Sequence, residues 1–387
     1  MGGCTGAVRP SPLPPALLRL AAEQEGLVSS RQCDAHGVDR HRRARLVRAG
    51  TVAAVGRGVL DLSPAVPSMG GCVDPVARQR RRAAWVGLLL YGEATAVAVG
   101  PCALALHGVE GLPARLVPEV ALPRGDHRRP RAGARVRCFE AGMRVVRVGR
   151  ALVADPVVAL TQAVCELPRR HAVAVLDSAV QQRLVAPDDL ASVRTAARGR
   201  RGSARLHAWW DLVDGRAQSP PETWARLECV DAGIGPDGLQ VPVRDRQGRV
   251  VARGDLGWRR EDGRLLVVEI DGAGPHSTPE ALYRDRDRQN AITQSGTTDL
   301  LRFTPRDVGT GRIPSAVHRW RGAPSERPPP RGDPAWSTGR RPGARDRAAS
   351  DPGTRLLTGR PPTTHDGVVV ARTTERTDER RSSRSTP

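Results

Sequence analysis

The sequence predicts an α+β fold of several domains, and three observations predict it. Residues 14–62 carry three short helical patterns closed by a two-strand hairpin. Residues 216–322 hold the order α-β-β-β-α-β, with strand and helix periodicities alternating. From residue 323 to 387, Pro, Arg, Ser, Thr and Gly replace the large apolar residues, which predicts a disordered tail. Between the first two blocks, residues 75–215 mix helices and short strands. At 387 residues the chain has length for two or three cores.

Taken in order, PALLRLAAEQEG reads as an apolar-faced helix ended by Gly26. Ser29 or Ser30 caps a second helix, RQCDAHG, which ends at Gly37, and Asp39 caps a third, RHRRARLVRAG, which ends at Gly50. TVAAV and GVLDL then alternate as strands around Gly56-Arg57-Gly58. This is the plan of a winged helix-turn-helix with its most basic helix third. That helix carries Arg40, His41, Arg42, Arg43, Arg45 and Arg48, and the hairpin tip carries Arg57. A helix so placed enters a major groove while the hairpin tip reaches phosphate. A solvated basic face is the plain alternative.

The middle block reads as a packing or connector region. ALALHGVEGL, PEVALP and ARVRCFE suggest a helix followed by short strands. VADPVVALTQAVCEL and HAVAVLDSAVQQRL have helical apolar spacing, with Asp155 and Asp188 near helix starts. His107 is expected at a helix end rather than as a ligand. The run 80–109 is long and apolar, but Glu93, Gly87, Gly92, Gly100 and Pro101 interrupt it. Two short buried helices account for it better than a membrane span, because a central carboxylate costs on the order of 2.5–3.5 kcal/mol in lipid. RTAARGRRGSARLH, residues 194–207, is a basic turn or helix open to phosphate contact or to plain solvation.

Composition narrows the function. The net charge is +20 and the pI about 11.3, so an anionic polymer is the natural partner. All 61 basic residues are arginine, for which codon bias in a GC-rich genome is a sufficient cause. No chemistry here relies on a lysine amine. The seven cysteines, at 4, 33, 72, 102, 138, 165 and 229, form no CxxC pair, which excludes a zinc knuckle or disulfide framework and fits a reducing cytoplasm. The first fifteen residues show no signal-peptide pattern.

The chemistry-bearing residues gather in the last folded block. SPPETWARLECVDAG is a helix bearing Glu222. LQVPVRD and RVVARGDLGW are alternating strands joined at Gln247-Gly248, and RLLVVEIDG is a continuously apolar central strand. PEALYRDRDRQNAITQSG is a polar-faced helix and DLLRFTP a last strand. Adjacent strand ends bring Asp255 and Glu269 within reach of one hard cation such as magnesium, which prefers oxygen ligands. The alternative for both is structural ion pairing.

Two resemblances sharpen this reading. Residues 17–62 resemble the N-terminal domain of type IV abortive-infection antitoxins, through Gly37, Asp39, Gly50 and Arg57-Gly58-Val59. Arg43 departs from that pattern, where an apolar residue usually faces the core. The resemblance implies a winged-helix DNA binder that often autoregulates, with a cognate toxin as a further partner. Residues 219–308 are similar to very-short-patch-repair-like endonuclease domains of the PD-(D/E)xK superfamily. The match runs through Ser219, Pro220, Glu222, Asp255-Leu256, Glu269-x-Asp271-Gly272, His276, Arg284-Asp285, Arg288, Asn290 and Leu301-Arg302-Phe303. It implies that Asp255 and Glu269 hold Mg2+ with Glu222 assisting, and that His276 is general base or phosphate ligand. Arg288 and Arg302 would steady charge on the DNA. The superfamily's lysine position is Asp271 here, which either leaves part of its role to His276 or makes Asp271 a turn cap paired with Arg284 or Arg288.

The expectation is therefore a cytoplasmic DNA-binding protein with an endonuclease-like domain that cuts DNA with magnesium. The competing expectation is a non-enzymatic repressor or antitoxin in which that domain is catalytically inactive.

Overall fold

A computed structural model describes residues 12–63, 74–123, 133–138, 142–245, 247–271 and 296–322. The expected helix over PEALYRDRDRQNAITQSG, the tail, Cys4, Cys72, His276, Arg284, Asp285, Arg288 and Asn290 lie outside the described residues. The fold is α+β. It divides into two compact units, one up to Leu227 and one from Glu228 onward.

The first unit opens with α1 (Pro15–Glu23), β1 (Leu27–Ser29), α2 (Ser30–Ala35), α3 (Arg40–Arg48), β2 (Ala53–Gly56) and β3 (Val59–Asp61). Each boundary has a local cause. Ser29 Oγ accepts from the Gln32 N–H while the Gln32 side chain accepts from the Ser29 N–H, a reciprocal cap that starts α2. Asp39 accepts from the Arg42 N–H at 2.7 Å and starts α3. Gly58, at φ +82°, turns the hairpin. The sequence reading missed β1, three residues too short to show alternation. It lies against β3 and gives a three-stranded antiparallel sheet in the order β1-β3-β2. Leu17, Ala21, Val28, Cys33, Val38, Leu46, Val52 and Leu62 form the small core beneath.

The 75–215 block is the main core of this unit, rather than a connector. It contains α4 (Pro75–Tyr91), β4 (Val97–Ala98), α5 (Gly100–Leu106), β5 (Glu119–Leu122) and β6 (Arg135–Cys138). β7 (Val145–Val148), β8 (Ala151–Ala154), α6 (Pro156–Val164), α7 (Arg169–Gln181) and α8 (Asp189–Ala197) follow. Its five strands form one mixed sheet in the order β6-β5-β4-β8-β7. Trp85, Leu88, Leu104, Val120, Val153, Leu160 and Val175 are buried in a cluster that also takes in Leu27 and Val59, so the N-terminal sheet packs into the same core. The α4 arginines reinforce this contact: Arg82 donates to the Glu25 carbonyl at 2.8 Å and pairs with Asp61. The long apolar run resolves into α4, β4 and α5, and no helix among the described residues is long and apolar enough to cross a membrane.

The division between units falls inside α9 (Pro220–Asp231). The second unit continues with β9 (Gly238–Arg244), β10 (Val250–Arg259), β11 (Leu265–Ile270), β12 (Thr298–Phe303) and α10 (Arg312–Gly322). Its sheet has the order β12-β11-β10-β9, antiparallel except for the parallel β11–β12 pair. β11 is buried at every position, as a central strand should be. Val241, Val243, Ala252, Leu265 and Val267 cluster in this unit, and Trp258 is fully buried with its indole N–H on the Ile234 carbonyl at 2.9 Å. Helix α10, which the sequence reading did not anticipate, contributes buried Ile313 and Val317.

Candidate functional site

The basic face of the first unit is built by α3 and the β2–β3 hairpin. Arg40, Arg45 and Arg48 are exposed on α3, and Arg57 is exposed at the hairpin tip. Arg42 is half-buried and its Nη2 donates to the Pro12 carbonyl at 2.8 Å. Arg43, expected at the DNA, is turned back onto the protein. Its side chain is 14% exposed, donates to the carbonyls of Val38 at 2.7 Å and Ser30 at 3.3 Å, and pairs with Asp34. At a position where an apolar residue would face the core, the guanidinium has folded over the α2–α3 turn. There it satisfies oxygens the turn leaves open.

In the second unit the ladder register Leu256↔Val268 puts Asp255 and Glu269 one step further along neighbouring strands. Asp255 is held at both oxygens: Oδ2 accepts from the Ile270 N–H at 2.8 Å and Oδ1 from Gln240 Nε2 at 3.3 Å. Gln240 has φ +50°, a left-handed conformation rare for a residue with a Cβ. Strain of this kind gathers at functional sites, where surrounding structure enforces it. Glu269 is 3% exposed. Its register partner across the parallel pair is Arg302, whose Nε donates to Glu269 Oε2 at 3.2 Å and stands 3.7 Å from Asp271 Oδ2.

The structure therefore brings Asp255, Glu269 and Arg302 to one end of the sheet. Asp271, at the end of β11, is half-exposed with its N–H on the Phe303 carbonyl at 2.8 Å. Glu222 lies in the other unit, where it closes the start of α9. Its carboxylate accepts from Ser219 Oγ at 2.8 Å and from the Gln218 N–H at 2.9 Å. That is a helix-capping role, with the acid satisfying donors that the first turn leaves open. His276 and Arg288 lie outside the described residues.

Magnesium is what the nuclease resemblance implies for Asp255 and Glu269, and the arrangement tests it. Both carboxylates have the hard oxygens such a cation prefers. Both also accept from protein donors, and the charge beside Glu269 is already balanced by a guanidinium. As they stand, these residues form an acid cluster with one arginine beside Glu269 and Asp271. Among the described residues, no three His, Cys, Asp or Glu side chains gather as a metal group.

Two further polar clusters lie in the first unit. Asp177 on α7 accepts from Arg226 Nη2 at 2.8 Å, Thr223 Oγ1 at 2.8 Å and the Asp214 N–H at 2.7 Å. Burial pushes its carboxyl up to about 6 against the pull of Arg226. Glu119 on β5 pairs with Arg137, which also donates to Glu166 at 2.7 Å, and burial raises the Glu119 carboxyl. Sequence patterning did not flag either cluster, because each draws on residues far apart in the chain. His107 sits at the end of α5, as expected, with Nε2 2.8 Å from the Ala154 carbonyl, and burial lowers its pKa. Among the described residues no disulfide links the cysteines, and burial holds Cys33 up at about 11 and Cys102 and Cys229 at about 12. A thiol so protonated is a poor nucleophile or metal ligand.

No family model matches the chain. Two proteins of Mycobacterium tuberculosis are similar to it: uncharacterized protein MT2308 of strain CDC 1551 / Oshkosh and uncharacterized protein Rv2248 of strain ATCC 25618 / H37Rv. Each is 30% identical over 174 residues, a match that covers 45% of this chain and 62% of the relative. The chain thus spans less than two thirds of the curated relatives it matches.

Proposed function

We propose that this chain is a cytoplasmic DNA-binding protein whose first unit begins with a winged helix-turn-helix. Its second unit, on this reading, is an endonuclease-like domain of PD-(D/E)xK type. The observation that carries the reading is the division of labour on α3 and its hairpin. Arg40, Arg45, Arg48 and Arg57 stand exposed, while Arg43 alone is folded onto the turn that orients the helix. In this arrangement α3 lies in the major groove and Arg57 reaches an adjacent phosphate. The net charge of +20 favours the encounter. On the antitoxin resemblance, the DNA is the protein's own promoter region and a cognate toxin is a second partner.

A second reading, metal-dependent DNA cleavage, is favoured by one observation: Asp255 and Glu269 occupy neighbouring strand positions beside the left-handed Gln240. One preparation separates the two readings. Promoter DNA is titrated with the full chain at increasing salt, and supercoiled plasmid is incubated with it and magnesium. The first reading expects tight binding that weakens steeply with salt, with no magnesium-dependent nicking. Nicking abolished by Glu269→Ala would replace it with the second reading. Binding indifferent to salt would overturn both.

A further inference from the structure

Between α8 and α9 the chain makes a basic turn that the DNA reading does not use. From Arg194 to Ala208 it holds five arginines and no acid. Arg194 and Arg198 are four residues apart at the end of α8 and so share a helical face. Gly199, at φ +74°, and Gly202, at φ +89°, then reverse the chain. A Cβ at Gly202 would stand 2.2 Å from the Cys165 carbonyl oxygen, so glycine is required there. The reversal brings residues 203–210 back beside α8 and leaves an open cleft of about 280 Å³. Arg194, Arg198, Ser203, His207 and Trp210 line it, with Ala197 and Leu206 buried beneath.

Four of the five arginines of this turn fall into two groups. Arg205 donates to the Cys165 carbonyl at 2.6 Å and lies over the Trp209 ring, and Arg200 Nε donates to the Ala196 carbonyl at 3.2 Å. These two knit the turn together. The Arg194 and Arg198 side chains make no hydrogen bond or ion pair among the described residues and are exposed on the cleft wall. The Trp210 indole N–H likewise donates to none of them. Two free guanidinia suit phosphate oxygens, and an indole face beside them suits a flat heterocycle. The volume stands at the lower edge of the range for small-ligand sites, about 300 Å³ upward.

We propose that this cleft binds a nucleotide unit, its phosphate between Arg194 and Arg198 and its base against Trp210. The same chemistry is offered by a free mononucleotide and by one unit of a single strand. The site does not depend on DNA binding by α3.

The test titrates the full chain with deoxyadenosine 5′-monophosphate, adenosine, inorganic phosphate and a single-stranded oligonucleotide by calorimetry. Binding of the monophosphate, at least about tenfold tighter than adenosine, is expected, and Arg194→Ala/Arg198→Ala should weaken it by a similar factor. Trp210→Leu should weaken the monophosphate about fivefold or more and leave inorganic phosphate unchanged. Arg40→Ala/Arg57→Ala should leave monophosphate binding intact, which separates this site from the DNA-binding face. An oligonucleotide bound much more tightly than the monomer identifies a strand as the source, and equal affinities identify a free nucleotide. No saturable monophosphate binding, or undiminished binding by the double arginine variant with an unchanged melting curve, overturns the proposal.

Discussion

Arg302 stands directly across the parallel β11–β12 pair from Glu269, and its Nε donates to Glu269 Oε2 at 3.2 Å. The carboxylate is almost wholly buried, so the guanidinium is what makes a charge tolerable there. Arg302→Met keeps the apolar stem and removes this donor. It should destabilise the protein by about 1–3 kcal/mol, read by urea denaturation. Arg302→Lys should recover only part of that, because an ammonium cannot reproduce the guanidinium Nε, which stands 3.2 Å from Glu269 Oε2 and 3.7 Å from Asp271 Oδ2. Full stability in Arg302→Met would show that the pair is incidental.

The Asp177–Arg226 pair supplies a pH-dependent prediction. Both side chains are buried, and Arg226 is the cation that offsets the burial of the Asp177 carboxylate. Arg226→Met should destabilise by roughly 3–5 kcal/mol near neutral pH, since a buried carboxylate loses its charge partner. The sign with pH follows from the shift. The carboxyl is already raised to about 6 in the folded protein, and losing Arg226 raises it further. Its folded pKa then lies above the unfolded value, so protonation favours the folded state. The variant's deficit should therefore be largest well above pH 6, shrink as pH falls towards about 6, and change little below it. Melting temperatures of both proteins from pH 4.5 to 8 measure the difference, at roughly 2–4 °C per kcal/mol for a folded unit the size of the one ending at Leu227. A constant deficit would mean that Asp177 stays ionised throughout.

On the basic face, position decides between binding and folding effects. Arg40→Ala and Arg57→Ala each remove an exposed cation. Each should lower DNA affinity and reduce the slope of log affinity against log salt by about 0.9, with the melting curve unchanged. Arg43→Ala should do the reverse, costing stability through the lost turn contacts while leaving the salt slope unaltered. A reduced slope for Arg43→Ala would place it on the DNA after all.

The contrast between Arg43 and its neighbours shows how far the sequence was legible. Helices α1 to α3, the hairpin and β9 to β12 could be read because caps, glycines and alternation are local signals. The position of Arg43 opposite the core was legible too, but not that the side chain would turn back onto Val38 and Ser30, because that depends on tertiary geometry. Likewise Asp255 and Glu269 were legible as neighbours across a hairpin. The identity of Glu269's partner was not, since Arg302 arrives from a strand thirty-three residues away. The core at 75–215 stayed hidden for a similar reason. Its strands have only two to four residues, too few for a period to show, and its sheet order is set by long-range pairing.

Gly254 offers a test of how tightly the acid pair is placed. A Cβ there would come 2.0 Å from Val267 Cγ1 on β11, so the absence of a side chain lets the two strands close beside Asp255. Val267 is fully buried among Val241, Val243, Ala252 and Leu265 and has little room to retreat. Gly254→Ala must then push β10 from β11 at the position next to Asp255. Overpacking of this kind costs roughly 1–3 kcal/mol. It should also loosen the hydrogen bond from the Ile270 N–H to Asp255 Oδ2, so amide exchange at Ile270 should accelerate more than at the buried β11 amides distant from residue 254. Gly257→Ala is the matched control. Its Cβ would meet Val241 on the β9 side at 2.6 Å, so it disturbs the other strand pair. If both variants accelerate Ile270 exchange equally, the sheet yields as a whole, and Asp255 has no privileged hold on the end of β11.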